Sequence, residues 1–274
     1  MQIVTTQGLA LPALGFGVFR MTEPEVERLV PAALDAGFRH FDTAQIYGNE
    51  AALGRALKAA GAARDDIFLT TKVWVENYAA DRFRPSVEES LARLGVDQVD
   101  LLLLHWPGSP VPLADQIERL NAVREAGLAR AIGVSNQTIA QLRRSVALSP
   151  APIVTNQVEI HPYLDQTALA AAAAGLGVVL TGYFGMADGA VPRDPTLQAI
   201  GAKHGRTAAQ VALRWQLEQG HVVLSKTATP ARLAENAAIF DFALDAEDRA
   251  RIGALARPDG RLVSPEGLAP AWDA

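Results

Sequence analysis

The chain has no cysteine among its 274 residues, which excludes two common kinds of structural support. Without thiols it can form neither a disulfide framework nor a zinc site with thiolate ligands. The first residues, MQIVTTQG, also lack the basic segment and apolar core of a secretory signal. We therefore expect a protein of the reducing cytoplasm.

The chain also lacks a large net charge of either sign: its formal net charge is -5 at pH 7. This balance gives no reason to expect nucleic acid or an anionic membrane as a partner. A hydrophobic content of 49% is typical of a globular protein with a large core. The long uncharged stretch 166–187 is divided by Gly175 and Gly177, so it predicts a helix, a turn and a buried strand. We expect a monomer.

Several motifs that mark common enzymes are absent as well. The chain has no Gly-rich Walker loop, no HExxH and no Gly-x-Ser-x-Gly. Gly15-Phe16-Gly17 resembles the start of a dinucleotide-binding fingerprint, but Arg20 stands where its third glycine belongs. His105 and His161 have no paired spacing and no cysteine to join them, so no metal site is predicted.

Apolar runs alternate with amphipathic segments along most of the sequence. Eight runs predict strands, at 39–42, 67–72, 99–105, 131–136, 153–159, 178–184, 222–226 and 239–242. Helices are predicted at 23–36, 50–60, 82–94, 113–125, 138–147, 166–174, 208–219 and 230–236. Continuous apolar strands separated by helices favour a parallel sheet. We predict an α/β fold, a single (β/α)8 TIM barrel over 1–274, with residues 1–20 forming a short hairpin over one end.

Polar residues end three successive predicted strands. Asp42, Lys72 and His105 stand at those ends, and Tyr47 follows the first of them. Any one of these residues alone would be read as a structural ion pair or a packed aromatic, but the repetition favours an active site. A phenol needs a nearby cation to bring its pKa down from about 10, and Lys72 is expected to supply it.

Three longer motifs carry a resemblance to the aldo-keto reductase family. The first is GFRHFDTA at 37–44 with Tyr47, Glu50, Leu53 and Gly54; the second is IGVSN at 132–136. The third comprises Lys226, Thr227, Arg232, Glu235, Asn236 and Ile239. Within the family, DTAQIYGNEAALG, TTKVWVEN, HWP and RLVSPEGLAPAWD are most similar to bacterial reductases of 2,5-diketo-D-gluconate and methylglyoxal.

The resemblance implies a role for each matched residue. Tyr47 would be the general acid, Lys72 the cation beside it, Asp42 the carboxylate holding Lys72, and His105 the group that orients the substrate carbonyl. The implied cofactor is NADPH (NADP when oxidised), and the substrate is a small carbonyl compound. The implied substrate-binding side chains are those of Phe19, Ile46, Trp74, Trp106 and Trp272.

The implied cofactor site is spread over several strand ends. Ser135, Asn136 and Gln157 would hold the nicotinamide carboxamide, with Tyr183 stacked on the ring. Lys226, Thr227 and Arg232 match the pocket for the 2′-phosphate, where a dianion suits a guanidinium plus a point charge. Asn236 would lie at the adenine, and Gly17 and Glu235 complete the predicted set.

The sequence departs from the family pattern at three places. Ser225 precedes Lys226, Gln137 follows Asn136, and Phe184-Gly185 follows Tyr183. The expected function is NADPH-dependent reduction of a small aldehyde, ketone or α-dicarbonyl by direct hydride transfer. Two alternatives are a redox-sensing subunit that binds nicotinamide nucleotide with little turnover, and an aldolase that uses Lys72 as a Schiff base. Asp42 argues against the second, which needs an unpaired lysine.

Overall fold

The computed structural model of the chain describes residues 2–273, which form ten strands and ten α-helices. The strands are β1 (Ile3–Thr6), β2 (Leu9–Pro12), β3 (Leu14–Gly17), β4 (His40–Asp42), β5 (Phe68–Val73), β6 (Val99–Leu104), β7 (Ala129–Ser135), β8 (Ile153–Glu159), β9 (Val179–Tyr183) and β10 (Val222–Ser225). The helices are α1 (Glu23–Asp35), α2 (Glu50–Ala59), α3 (Phe83–Leu94), α4 (Leu113–Glu125), α5 (Ile139–Leu148), α6 (Thr167–Gly175), α7 (Pro195–His204), α8 (Ala208–Glu218), α9 (Ala231–Ala237) and α10 (Ala246–Gly253).

Strands β3 to β10 close into a parallel barrel. Their order around the barrel follows the chain, and β10 pairs with both β9 and β3 to complete the ring. Most barrel strands are buried along their whole length, as expected where helices cover the outer face and side chains fill the interior. The predicted (β/α)8 barrel is confirmed.

One of the eight predicted strands is wrong. Residues 239–242 form no strand, and the missing barrel strand is β3, which lies inside the segment assigned to the hairpin. Its sequence does not predict a strand, because β3 contains two glycines and glycine usually weakens a strand. Here glycine is favoured at position 15, since a Cβ atom would come within 2.7 Å of the Leu224 side chain and 2.8 Å of the buried His40 ring.

The hairpin of β1 and β2 covers the amino-terminal end of the barrel. The Thr6 hydroxyl donates hydrogen bonds to the carbonyls of Val154, at the start of β8, and Gly177, just before β9. Leu9 and Leu11 join a buried apolar cluster with residues of the barrel strands. The predicted cover over one end is confirmed, and the carboxyl ends of the strands lie at the opposite end.

The uncharged stretch 166–187 forms α6 and β9, joined by a turn at Gly177, as predicted. Across residues 2–273, helices are too short or too polar to cross a bilayer.

Candidate active site

The carboxyl ends of the barrel strands surround a cavity of about 850 Å³. Gly17, Asp42, Ser135, Tyr183 and Ser225 are each the last residue of a strand, and all of them line this cavity. The closed parallel barrel therefore gathers at one end residues that lie far apart in the sequence.

The four predicted catalytic residues lie together at this end. The Lys72 ammonium is fully buried and donates to Asp42 Oδ1 at 2.6 Å and to the Thr43 carbonyl at 2.9 Å. Its third contact is the Tyr47 hydroxyl, at 3.5 Å. The rings of Tyr47 and His105 are edge-to-face with centroids 5.6 Å apart. The structure thus places a phenol, an ammonium, a carboxylate and an imidazole in one cluster.

Burial and charge shift the proton affinities of this cluster. Burial, and then the nearby Asp42 carboxylate, raises the pKa of the Tyr47 phenol well above its ordinary value. Burial also lowers the pKa of Lys72, although its ion pair with Asp42 opposes that change. The expectation that Lys72 lowers the Tyr47 pKa is therefore wrong for this site. The ammonium is already held by Asp42 and Thr43, so its pull on the more distant phenol is weakened.

His105 is a neutral imidazole at pH 7. Burial, followed by the charge of Lys72, lowers its pKa well below the ordinary value. Its ring also meets the Trp74 ring edge-to-face, at 5.3 Å between centroids. A neutral imidazole can position a carbonyl group by hydrogen bonding, but it is a poorer source of a proton than a phenol beside a cation.

A polar wall continues from this cluster. The Gln157 amide donates to Asp42 Oδ2 at 2.8 Å, while the Ser135 hydroxyl donates to the Gln157 carbonyl at 2.7 Å. The Asn136 amide donates to the His105 carbonyl and accepts a 2.7 Å hydrogen bond from the Tyr183 hydroxyl. These four side chains are therefore linked to one another and to the catalytic cluster, and they offer amide and hydroxyl groups to a ligand.

Of the residues predicted around the 2′-phosphate and adenine, only Lys226 lines the cavity; Thr227, Arg232, Glu235 and Asn236 do not. Lys226 is exposed, and Arg232 is exposed on α9. Neither side chain makes an ion pair with any other described residue. Thr227 is buried, with its hydroxyl bonded to the backbone of Thr229. Two exposed, unpaired cations so close in sequence are suited to an anionic group.

Two members of the predicted cofactor set have partners within the protein. The Glu235 carboxylate accepts a hydrogen bond from the Thr207 hydroxyl at 2.7 Å, and the buried Asn236 amide donates to Ser225 Oγ at 2.9 Å. The first contact joins α9 to the N-terminus of α8, and the second joins α9 to the end of β10. Ser225, a departure from the family pattern, is therefore the anchor of Asn236.

Four of the five predicted substrate-binding residues lie on the cavity wall. Phe19, Ile46, Trp74 and Trp106 line the cavity. Trp272 is not part of the lining; its ring packs edge-on against Trp106, with centroids 6.4 Å apart, and its contact with substrate stays a prediction. Its indole N–H donates to the Ser264 hydroxyl, and Ser264 itself lines the cavity.

Residues that the sequence did not single out also line the cavity. They come from three segments, after β3, after β9 and after α10: Arg20; Met186, Asp188 and Gly189; and Leu262, Val263, Ser264, Pro265 and Leu268. The last five belong to the RLVSPEGLAPAWD segment, whose sequence carries the family resemblance but predicts no place in the site. Nothing in their spacing indicates where the tail lies, because its position depends on contacts with distant strands.

The other departures from the family pattern are accommodated in different ways. Gln137 is buried, and its side chain accepts a hydrogen bond from Ser145 at 2.8 Å. Phe184 adopts a left-handed backbone with φ of 61°, directly after the Tyr183 strand end. Phe184 and Gly185 both line the cavity, so this departure alters the wall of the site itself.

Comparisons with known proteins agree with this arrangement. A sequence model described as the aldo/keto reductase family matches residues 13–257. Methylglyoxal reductase DkgB of Salmonella typhimurium is 42% identical over 268 residues, which cover 97% of this chain and 100% of that protein.

Solved structures are similar over almost the whole chain. The crystal structure of a protein provisionally named 2,5-diketo-D-gluconic acid reductase B has 60% sequence identity and a TM-score of 0.99, covering 100% of this chain and 98% of that one. An aldo/keto reductase from Brucella melitensis is 38% identical with a TM-score of 0.87, over 93% of this chain and 99% of that one.

Proposed function

Because the chain belongs to the aldo/keto reductase family, we propose that it reduces small carbonyl compounds with NADPH. The observation that supports this best is the cluster of Asp42, Lys72, Tyr47 and His105, in which Lys72 is buried and the other three line a cavity of about 850 Å³. Carbonyl reduction itself is supported by the reductases that the chain resembles. NADPH, the role of Tyr47 and the substrate class are our proposals.

Residues on the cavity wall fit a nicotinamide nucleotide. Ser135, Asn136 and Gln157 offer hydrogen-bonding groups next to the catalytic cluster, and Tyr183 offers an aromatic face with its hydroxyl already held. Lys226 lines the cavity as an unpaired cation, and Arg232 follows on α9. When bound, the cofactor would supply a hydride to the carbonyl carbon.

Tyr47 is proposed to supply the proton. A carbonyl oxygen gains negative charge as hydride reaches its carbon, so a donor aimed at that oxygen stabilises the transition state. The raised pKa keeps the phenol protonated at neutral pH, and the phenolate that remains would face the Lys72 ammonium. His105, which is neutral, would orient the carbonyl.

The substrate is proposed to be a small dicarbonyl such as methylglyoxal or 2,5-diketo-D-gluconate. The cavity of about 850 Å³ must hold both nicotinamide and substrate, and the large side chains of Trp74, Trp106 and Leu268 line it. DkgB is named as a methylglyoxal reductase.

The decisive experiment is multiple-turnover oxidation of NADPH with methylglyoxal, compared with a steroid ketone. We expect many turnovers and a higher kcat/KM for methylglyoxal. Tight NADPH binding without turnover would support the redox-sensing alternative instead. A higher kcat/KM for the steroid would contradict the proposed substrate class.

A further inference from the structure

Glu159 is a buried carboxylate that the proposed chemistry does not use. It is the last residue of β8 and is 0% exposed, yet it is absent from the lining of the cavity. Burying a carboxylate is costly unless donors surround it. The donors that surround the Glu159 carboxylate therefore indicate its role in the structure.

Those partners come mainly from the C-terminal part of the chain. Glu159 Oε1 accepts from the Leu262 amide at 2.8 Å and from His161 Nε2 at 2.8 Å. Glu159 Oε2 accepts from the Val263 amide at 3.1 Å, and the Arg261 guanidinium lies 3.6 Å away. Three consecutive residues of the tail are thus held by one side chain of the barrel.

The same tail forms one side of the cavity. Leu262, Val263, Ser264, Pro265 and Leu268 line it, and we call residues 261–268 the C-terminal wall. A second contact holds its far end, where the Gly108 amide donates to the Leu268 carbonyl at 3.0 Å. Arg261 also stacks on Trp272, at 3.6 Å from the ring centroid.

We propose that Glu159 is a positioning residue that sets substrate size by holding the C-terminal wall in place. The inference rests on the proposed function, since the wall matters to a carbonyl only if one is reduced there. Hydrogen bonds to an ionised carboxylate are the stronger kind, and here they join two backbone amides to a rigid strand. Releasing them lets the wall move outward while the catalytic cluster stays in place.

The test is Glu159→Gln, which keeps the side-chain volume but turns one acceptor into a donor that faces a backbone N–H. The probes are methylglyoxal and a phenyl-substituted α-dicarbonyl, each with NADPH. We expect the kcat/KM ratio in favour of methylglyoxal to fall about 10-fold, the equivalent of one lost charged hydrogen bond. NADPH affinity should stay nearly unchanged, since the Glu159 side chain does not line the cavity and the substitution keeps its backbone pairing with Tyr183.

A second perturbation moves the same wall from its other end. A Cβ atom at Gly108 would collide with the carbonyl oxygens of Gly267 and Leu268, so Gly108→Ala should lower the ratio in the same direction. Gly175→Ala is the matched control, because nothing lies within 4 Å of its Cβ position. It should leave the ratio unchanged.

Amide hydrogen exchange separates this inference from the proposed function. The Leu262 and Val263 amides should exchange faster in Glu159→Gln than in the parent, even if the parent turns over no substrate. If Glu159→Gln does not fold, Glu159→Asp replaces it, since the shorter carboxylate draws back from both amides. Unchanged exchange, an unchanged ratio in a folded variant, or equal losses for both substrates and NADPH would each overturn the proposal.

Discussion

At the scale of single residues, Tyr47 is the side chain on which the proposed chemistry depends most. Its ring is held by Phe19, with centroids 4.9 Å apart, and by His105. Phenylalanine would keep both ring contacts and remove only the hydroxyl. The position therefore allows the proton donor to be tested apart from packing.

We expect Tyr47→Phe to lower kcat for methylglyoxal reduction at least about 10²-fold, the low end for a positioned acid. The measurement is steady-state NADPH oxidation, with a fluorescence titration to show that NADPH still binds normally. Tyr163→Phe is the control, since that hydroxyl bonds to Asp194 away from the cavity and should be dispensable. A Tyr47→Phe rate within a few-fold of the parent would shift the role of acid to His105.

Arg232 belongs to the same scale, because it tests which cofactor the site prefers. Arg232→Ala should weaken NADPH binding by about 1.5–3 kcal/mol, the range for a hydrogen bond to a charged group. NADH lacks the phosphate, so its affinity should hardly change. Calorimetric titration of both cofactors checks this, with Arg251→Ala on α10 as an exposed control. Equal losses for NADPH and NADH would remove Arg232 from the phosphate site.

At the scale of elements, the sequence signals varied in strength. Helices with long amphipathic repeats were predicted nearly to the residue, and α4 agrees at both ends. Helices α7 and α10 were missed, although both have a capping signal: Asp194 accepts from the Thr196 and Leu197 amides, and Asp245 forms a capping box with Asp248. These N-caps are the sequence signal that predicts both helices.

The hairpin of β1 and β2 allows stability to be separated from activity. Leu11 is fully buried against the amino-terminal end of the barrel, opposite the cavity. Leu11→Ala should lower the free energy of unfolding by about 2–5 kcal/mol, through lost burial and a new cavity. Urea unfolding followed by circular dichroism measures it.

Exposed Ile3, in the same hairpin, gives the matched control. Ile3→Ala should change the unfolding free energy by no more than about 0.5 kcal/mol. The KM for methylglyoxal should be unchanged in both variants while they are folded. A raised KM in folded Leu11→Ala would mean that the hairpin influences the site.

At the scale of the whole molecule, burial raises the pKa of all four tyrosines. Tyr163 reaches about 12, and the other three are shifted upward as well. A phenol with a raised folded-state pKa contributes stability below its unfolded value of about 10, and this is lost as pH rises toward the folded value. Alkaline pH should therefore unfold the protein as it ionises the tyrosines.

The measurement is a pH titration of tyrosinate absorbance beside circular dichroism. We expect no tyrosinate absorbance from the folded protein up to pH about 10. Above that pH, tyrosinate absorbance should rise together with the loss of the circular dichroism signal. A tyrosine that ionises near pH 8 to 9 in the folded protein, and is missing in Tyr47→Phe, would contradict this. It would restore the expectation that Lys72 lowers the Tyr47 pKa.

The sequence by itself determined the strand and helix alternation, the polar strand ends and the family motifs. Each of these is a local pattern, because helix and strand periods, caps and turns depend on residues close together in the chain. The same locality explains the errors: β3 contains two glycines, and 239–242 is apolar without pairing in the barrel. Strand pairing in the closed barrel is what makes β3 a strand and leaves 239–242 outside the sheet.

Tertiary structure alone decided which distant groups meet and what protonation follows. Gln157 reaches Asp42 across 115 residues, and Glu159 holds the Leu262 amide across 103. Such contacts depend on the barrel register and on burial, which no local pattern records. They packed Trp272 against Trp106, brought the C-terminal wall onto the cavity and raised the Tyr47 pKa. The physical reason is that desolvation and packing act between groups that are close in space, however far apart they are in the chain.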